Sequence, residues 1–318
     1  MKNKLSVIAA LCAMAVLITA SPQVIASCRD ALTLCCELII PSLFPFFVIS
    51  VLLSRLGLPA YLEKLLSPLS ARLFGVSGAG ATALFVGLTG GYPLGASYIA
   101  DMHQQGHISA QEAERLLAFC NNSGPAFIIG AVGSGVFSSP KAGLLLYAVH
   151  ILSALLTGLI FRQNSPPRSY SAAKPPSVSL SQALPDSVRQ AVVSILNVCG
   201  FVVCFSVFAG LLDSGGFFPV MAGRLSTLLG KELHWCRALL TGILELGSGA
   251  GAMRGLALSP ANLALAAWIL GWGGISVHFQ TMAVIADADI KSGLHFAGRL
   301  VSAFIGAGIT YLAGLLLL

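Results

Sequence analysis

A chain of 318 residues that is 56% hydrophobic and only 9% charged, with a mean hydropathy of +0.86, is not built like a soluble domain, in which about a quarter of the residues carry charge. The composition predicts an all-α, polytopic membrane protein. It points away from nucleic acid as a partner, because a net charge of +6 in such a chain belongs to cytoplasmic loops and to contact with anionic membrane lipid.

Lys2 and Lys4 precede an apolar run from Leu5 to Ala20. Residues 1–29 therefore read as a signal anchor or first transmembrane helix whose N-terminus lies in the cytoplasm. Further apolar segments run over 33–54, 76–100, 116–137, 142–161, 189–212, 236–258, 261–286 and 291–317. Each meets the roughly 20 residues that a span needs. The eight cysteines lie mostly inside these runs and show no paired zinc spacing, so they are expected to be small buried hydrophobes. Residues 162–189 differ: they are rich in Pro and Ser, polar and basic, the composition of a connector between two halves.

The halves, 30–161 and 190–318, repeat one pattern. KAGLLLYAVHILSALLTGLI from Lys141 and KSGLHFAGRLVSAFIGAGI from Lys291 both open Lys-x-Gly-Leu and carry a later Ser-Ala pair. ALFVGLTGGYPLGA from Ala83 matches ALLTGILELGSGAGA from Ala238 with one insertion. Before each lies an amphipathic stretch, 58–75 and 216–230, that reads as a helix in the membrane interface. A duplicated bundle is expected. If every segment crossed, the linker with Arg162, Arg168, Lys174 and Arg189 would lie outside, against the positive-inside rule. If 76–100 instead enters and leaves by one face, each half crosses three times and the linker is cytoplasmic. The second half is then an inverted copy of the first, with GLTGGYPLG at a re-entrant tip.

Polar residues at mid-span mark the candidate site. Asn121, Asn122, Ser123, Gly124 and Pro125 interrupt 116–137, and Pro125 breaks the helix there. The matching place in the second half holds Gly271, Gly273, Gly274, Ser276, His278 and Gln280. Paired interrupted segments point to a transporter site; packing between helices is the plainer alternative. Glu245, at the second glycine-rich tip, is a carboxylate at membrane depth. It could hold a cation, take a proton, accept hydrogen bonds from a solute, or pair with Arg254. His150 and Arg299 fall at nearly matching places in the last span of each half. His103 and His107 are expected in a solvated loop without metal. Ser109 and Glu112 form a capping-box helix start. No phosphate loop, nucleophile elbow or catalytic acid pair is present in the sequence, so neither an enzyme nor a cofactor is expected.

GYPLGA, AERLLAFCNNSGPAFIIGAVG and the Lys141 segment resemble the sporulation integral membrane protein family, in the superfamily of nucleoside-recognition (Gate) domains. The resemblance covers most of 30–318. It implies two Gate-type repeats resembling the core of concentrative nucleoside transporters, in which two re-entrant hairpins meet two broken helices. On that resemblance the first tip carries Thr89, Tyr92 and Pro93, and the second carries Glu245 and Ser248. The broken helices supply Asn121, Asn122, Ser123, Ser276, His278 and Gln280. The chain departs from the nucleoside carriers in lacking a carboxylate beside proline in the hairpin. The expectation is a multi-pass inner-membrane protein that moves a small polar, nucleoside-like solute, coupled to a proton or cation and linked to sporulation, with oligomeric state open. The rival expectation is a membrane scaffold for spore or envelope assembly.

Overall fold

The computed structural model describes residues 2–163 and 178–317. Residues 164–177, the middle of the expected connector, lie outside the described residues. Among the described residues, five helices are long and apolar enough to cross a membrane: Ser21–Arg55, Pro140–Ile160, Leu180–Ser214, Pro260–Ile285 and Gly293–Leu317. Leu180–Arg189, which composition assigns to the connector, are already helical and carry Pro185 within the helix. Outward faces are apolar, as lipid requires, with Ile49, Leu196, Phe304, Leu312 and Leu316 all exposed.

Each half runs through the same sequence of elements. The long helices Ser21–Arg55 and Leu180–Ser214 are each followed by a left-handed glycine, Gly57 (φ 88°) and Gly216 (φ 78°). The amphipathic helices Leu58–Phe74 and Phe217–Leu229 come next, and both end on a second left-handed glycine, Gly75 (φ 63°) and Gly230 (φ 61°). The chain then turns sharply: residues 60–74 and Gly78–Gly90 meet at 95°. Hairpins follow, Gly78–Gly90 with Leu94–Gln104 in the first half and Leu233–Leu244 with Leu246–Gly251 in the second. Next come the broken helices, Ala110–Cys120 with Ala126–Val136, and Pro260–Trp272 with Gly274–Ile285. Ser109 and Ser259 cap their starts by accepting from the N–H groups of Glu112 and Asn262, the expected role of serine there. The closing helices are Pro140–Ile160 and Gly293–Leu317.

The two long helices lie antiparallel. Arg55, at the end of the first, pairs with Asp186 near the start of the second at 3.3 Å. At the other end, Gly210 leaves room for Ser27: a Cβ on it would lie 2.0 Å from the Ser27 hydroxyl. Equivalent helices in opposite directions are the signature of an inverted repeat. The hairpins close on glycine. A Cβ at Gly249 would lie 2.2 Å from the Gly242 Cα, and one at Gly95 would lie 3.0 Å from the Gly87 Cα. Gly87 corresponds to Gly242 in the aligned repeat, and each hairpin packs its two arms together at a pair of glycines.

Candidate functional site

Both hairpin tips meet both helix breaks. In the first half, a Cβ on Gly91 would lie 2.7 Å from the amide nitrogen of Gly124. In the second, a Cβ on Gly274 would lie 2.8 Å from the nitrogen of Leu246 and 3.1 Å from the Cα of Glu245. Tyr92 crosses from the first tip to the second break, its hydroxyl 3.2 Å from where a Gly273 Cβ would stand. Between these four places lies a cavity of about 40 Å³, walled by Tyr92, Ser123, Gly124, Glu245, Gly247 and Gln280 with apolar neighbours from the long helices.

Glu245 is buried, 1% exposed. Its backbone leaves the helical region (φ −142°) and its carboxylate caps the short helix Leu246–Gly251. Gly247 N–H donates to Oε1 at 3.0 Å, Ser248 N–H to Oε2 at 2.5 Å, and the Ser276 hydroxyl to Oε1 at 3.4 Å. None of the ion pairs among the described residues includes Glu245. The expected alternative of a pair with Arg254 is not formed; Arg254 instead lines a second, wider space of about 900 Å³. That vestibule is also lined by Asp30, Glu37, Asp213, Arg237 and Ser248. Ser248 is shared: its hydroxyl meets that of Ser206 at 2.9 Å on the vestibule side, while its N–H holds Glu245 on the cavity side. Ser248 thus lies between the two spaces.

The first break is densely hydrogen-bonded. Breaking a helix leaves its last carbonyls without partners. Here the Asn122 amide donates to Phe119 O at 2.7 Å, Arg299 to Ala118 O at 3.0 Å, and His295 Nδ1 to Leu117 O at 3.1 Å. Arg299 also donates to Asn122 Oδ1 at 2.9 Å and to the Tyr92 hydroxyl at 3.3 Å. Ser123 N–H donates to His150 Nε2 at 3.1 Å, and the Asn121 amide to the Thr281 hydroxyl at 2.8 Å.

The sequence-expected residues therefore separate into groups. Tyr92, Ser123, Glu245 and Gln280 line the cavity, and Ser276 touches it through Glu245. Asn121 and Asn122 stand behind the wall, turned into the protein. Thr89 donates back to Phe85 O at 2.8 Å and lines a separate crevice with Ser50 and Leu62. His278 is fully buried among Trp272, His295 and Phe296, with ring centroids 4.3–4.9 Å away. The Ser123 hydroxyl is buried without a partner, and Gln280, 4% exposed, borders the same space. Sequence reasoning assigned no role to Arg299, His295 or Thr281. A charged residue within a span was the available signal for Arg299, and His295 one helical turn before it was the second. Among the described residues no cluster of three metal-ligating side chains exists.

A family model described as Gate, nucleoside recognition, matches residues 37–139. The sporulation integral membrane protein YlbJ of Bacillus subtilis (strain 168) is 32% identical over 305 residues, covering 88% of this chain and 74% of that protein. Among solved structures, CNTnw in an inward-facing substrate-bound state aligns with a TM-score of 0.58 at 12% identity, covering 98% of this chain and 84% of that one. A doubly substituted CNTnw in an outward-facing state aligns with a TM-score of 0.58 at 13% identity, covering 99% and 83%. These neighbours are concentrative nucleoside transporters; at such identity they establish the fold, and they match it equally well in either state.

Proposed function

Because this chain belongs to the sporulation integral membrane protein family and carries the fold of concentrative nucleoside transporters, we propose that it is a carrier for a small polar solute, with Tyr92, Ser123, Glu245 and Gln280 as the binding groups. The observation that carries this reading is the convergence of both tips and both breaks on one cavity that contains a buried carboxylate, the Gln280 side chain and a serine hydroxyl without a protein partner. Buried polar groups are normally satisfied.

A cavity of about 40 Å³ accommodates a few waters. Ligand pockets are on the order of several hundred Å³, so loading must part the tips. The vestibule is the approach. In this reading the connector 162–189 faces the cytoplasm, Arg55 and Asp186 share that face, and the vestibule with Asp30 and Asp213 opens on the opposite one. Glu245 is the ionisable group of the site: three hydrogen bonds favour its charged form, and burial opposes it. A proton or cation that arrives with the solute would settle that balance.

The test is solute-dependent thermal stabilisation of the purified protein, across nucleosides, nucleobases, amino acids, polyols and small carboxylic acids. A solute at about 100 times its Kd stabilises by about 2.7 kcal/mol. At least one class is expected to do so saturably, with a pH dependence that Glu245→Gln abolishes while the fold is retained. If no class stabilises the protein, and Glu245→Gln complements a deletion strain at every pH, the scaffold reading replaces the carrier.

A further inference from the structure

Arg299 is 0% exposed. Arginine stays protonated in proteins, so the core holds a fixed positive charge. None of the ion pairs among the described residues includes it. Its acceptors are neutral: Ala118 O, Asn122 Oδ1 and the Tyr92 hydroxyl. The fold brings it there deliberately. Gly298, the residue before it, packs so closely on the first broken helix that a Cβ would lie 2.2 Å from Ala118 O. That approach sets the guanidinium on the last turn of Ala110–Cys120.

The position has a meaning in electrostatics. A helix C-terminus carries a partial negative charge, and broken helices in carriers use such half-helix ends and unwound carbonyls to hold a coupling sodium ion or proton. Here a side chain of the protein already stands at that end. The second break has no counterpart. Gly273 N–H takes Ile269 O at 2.9 Å, and no basic side chain among the described residues donates to the end of Pro260–Trp272.

We propose that Arg299 is a tethered cation that takes the place of a free sodium ion at the first helix break, so that assembly of this site is independent of sodium. The proposal rests on the carrier reading for its purpose. Its test does not, because the readout is stabilisation by cations without any solute.

The purified protein is compared in sodium, potassium and choline chloride at equal ionic strength. Equal melting temperatures are expected; a saturable sodium-specific rise in the wild type overturns the proposal. Arg299→Ala is expected to melt lower and to regain stability saturably with millimolar guanidinium or sodium, relative to choline. A folded Arg299→Ala that responds to neither cation overturns it, because the side chain is then only packing. Arg299→Lys and Arg299→Met guard against a variant that does not fold. The lysine variant keeps the charge and should be recovered in greater folded yield than the methionine variant; equal yields, including failure of both, overturn the proposal. If no solute is ever found but these cation results hold, the carrier reading alone fails.

Discussion

The two helix breaks sit in equivalent places and are made in different ways. At the first, residues 121–125, side chains do the work: Asn122, His295 and Arg299 take the freed carbonyls, and His150 takes an N–H. At the second the backbone does it: Gly273 and Gly274 are left-handed at φ 85° and 80°, and few side chains attend them. One break is thus a joint fixed by a buried polar network that ties the halves together. The other is a glycine turn packed against the tip that carries Glu245. Duplication supplied the topology twice, and the chemistry that stabilises it then diverged.

The largest effect that separates the two is expected at Asn122. Asn122→Leu leaves Phe119 O without a donor and Arg299 short of an acceptor. At about 1–3 kcal/mol for each buried polar group left unsatisfied, a loss of about 4 kcal/mol is expected, read as a fall in melting temperature. Membrane insertion should be intact, since leucine suits a span better than an amide does. A wild-type melting temperature would show that the network is incidental.

Gly274→Ala comes next. The left-handed conformation costs a non-glycine residue about 1–2 kcal/mol, and the added methyl meets the backbone of Leu246, so about 3 kcal/mol is expected. Gly124→Ala is the matching change at the first break. Its Cβ would have 3.3 Å to the nearest atom, and its φ is not positive, so less than about 1 kcal/mol is expected. Equal losses for the two alanines would erase the distinction between a side-chain joint and a backbone joint.

Asn121→Leu removes one neutral hydrogen bond, to Thr281. A loss of about 1 kcal/mol is expected, well below that for its neighbour, and measurable in the same melts. Thr89→Ala should be smallest, within about 0.5 kcal/mol, because its hydroxyl only bonds back to Phe85 O. It should leave solute stabilisation unchanged; a shifted solute response would bring Thr89 into the site.

The repeat was legible because its markers are local. The Lys-x-Gly-Leu starts, the serine caps and the glycine-rich tips are short strings whose meaning does not depend on distant partners. The breaks were legible for the same reason, since Pro125 and paired glycines act on their own backbone. What each freed group faces was not legible. Asn121 and Ser123 are two residues apart, yet one turns to Thr281, 160 residues away in sequence, and the other to the cavity. Arg299 shows the same limit: its partners lie 177 to 207 residues distant. Thr89 sits on a tip, but its helical register points it at Ser50 and away from Glu245.

The antiparallel pair of long helices has a mechanical side. Each has 35 residues, about 52 Å at 1.5 Å per residue, against a hydrocarbon layer of about 30 Å. Helices of that length must lean or protrude. Pinned to each other at Arg55–Asp186 and at Ser27–Gly210, they lean as one strut. A thicker bilayer would stand that strut upright and a thinner one would lay it over. Because Val198 and Val202 of the second helix wall the cavity, bilayer thickness would reach the site as a change of angle.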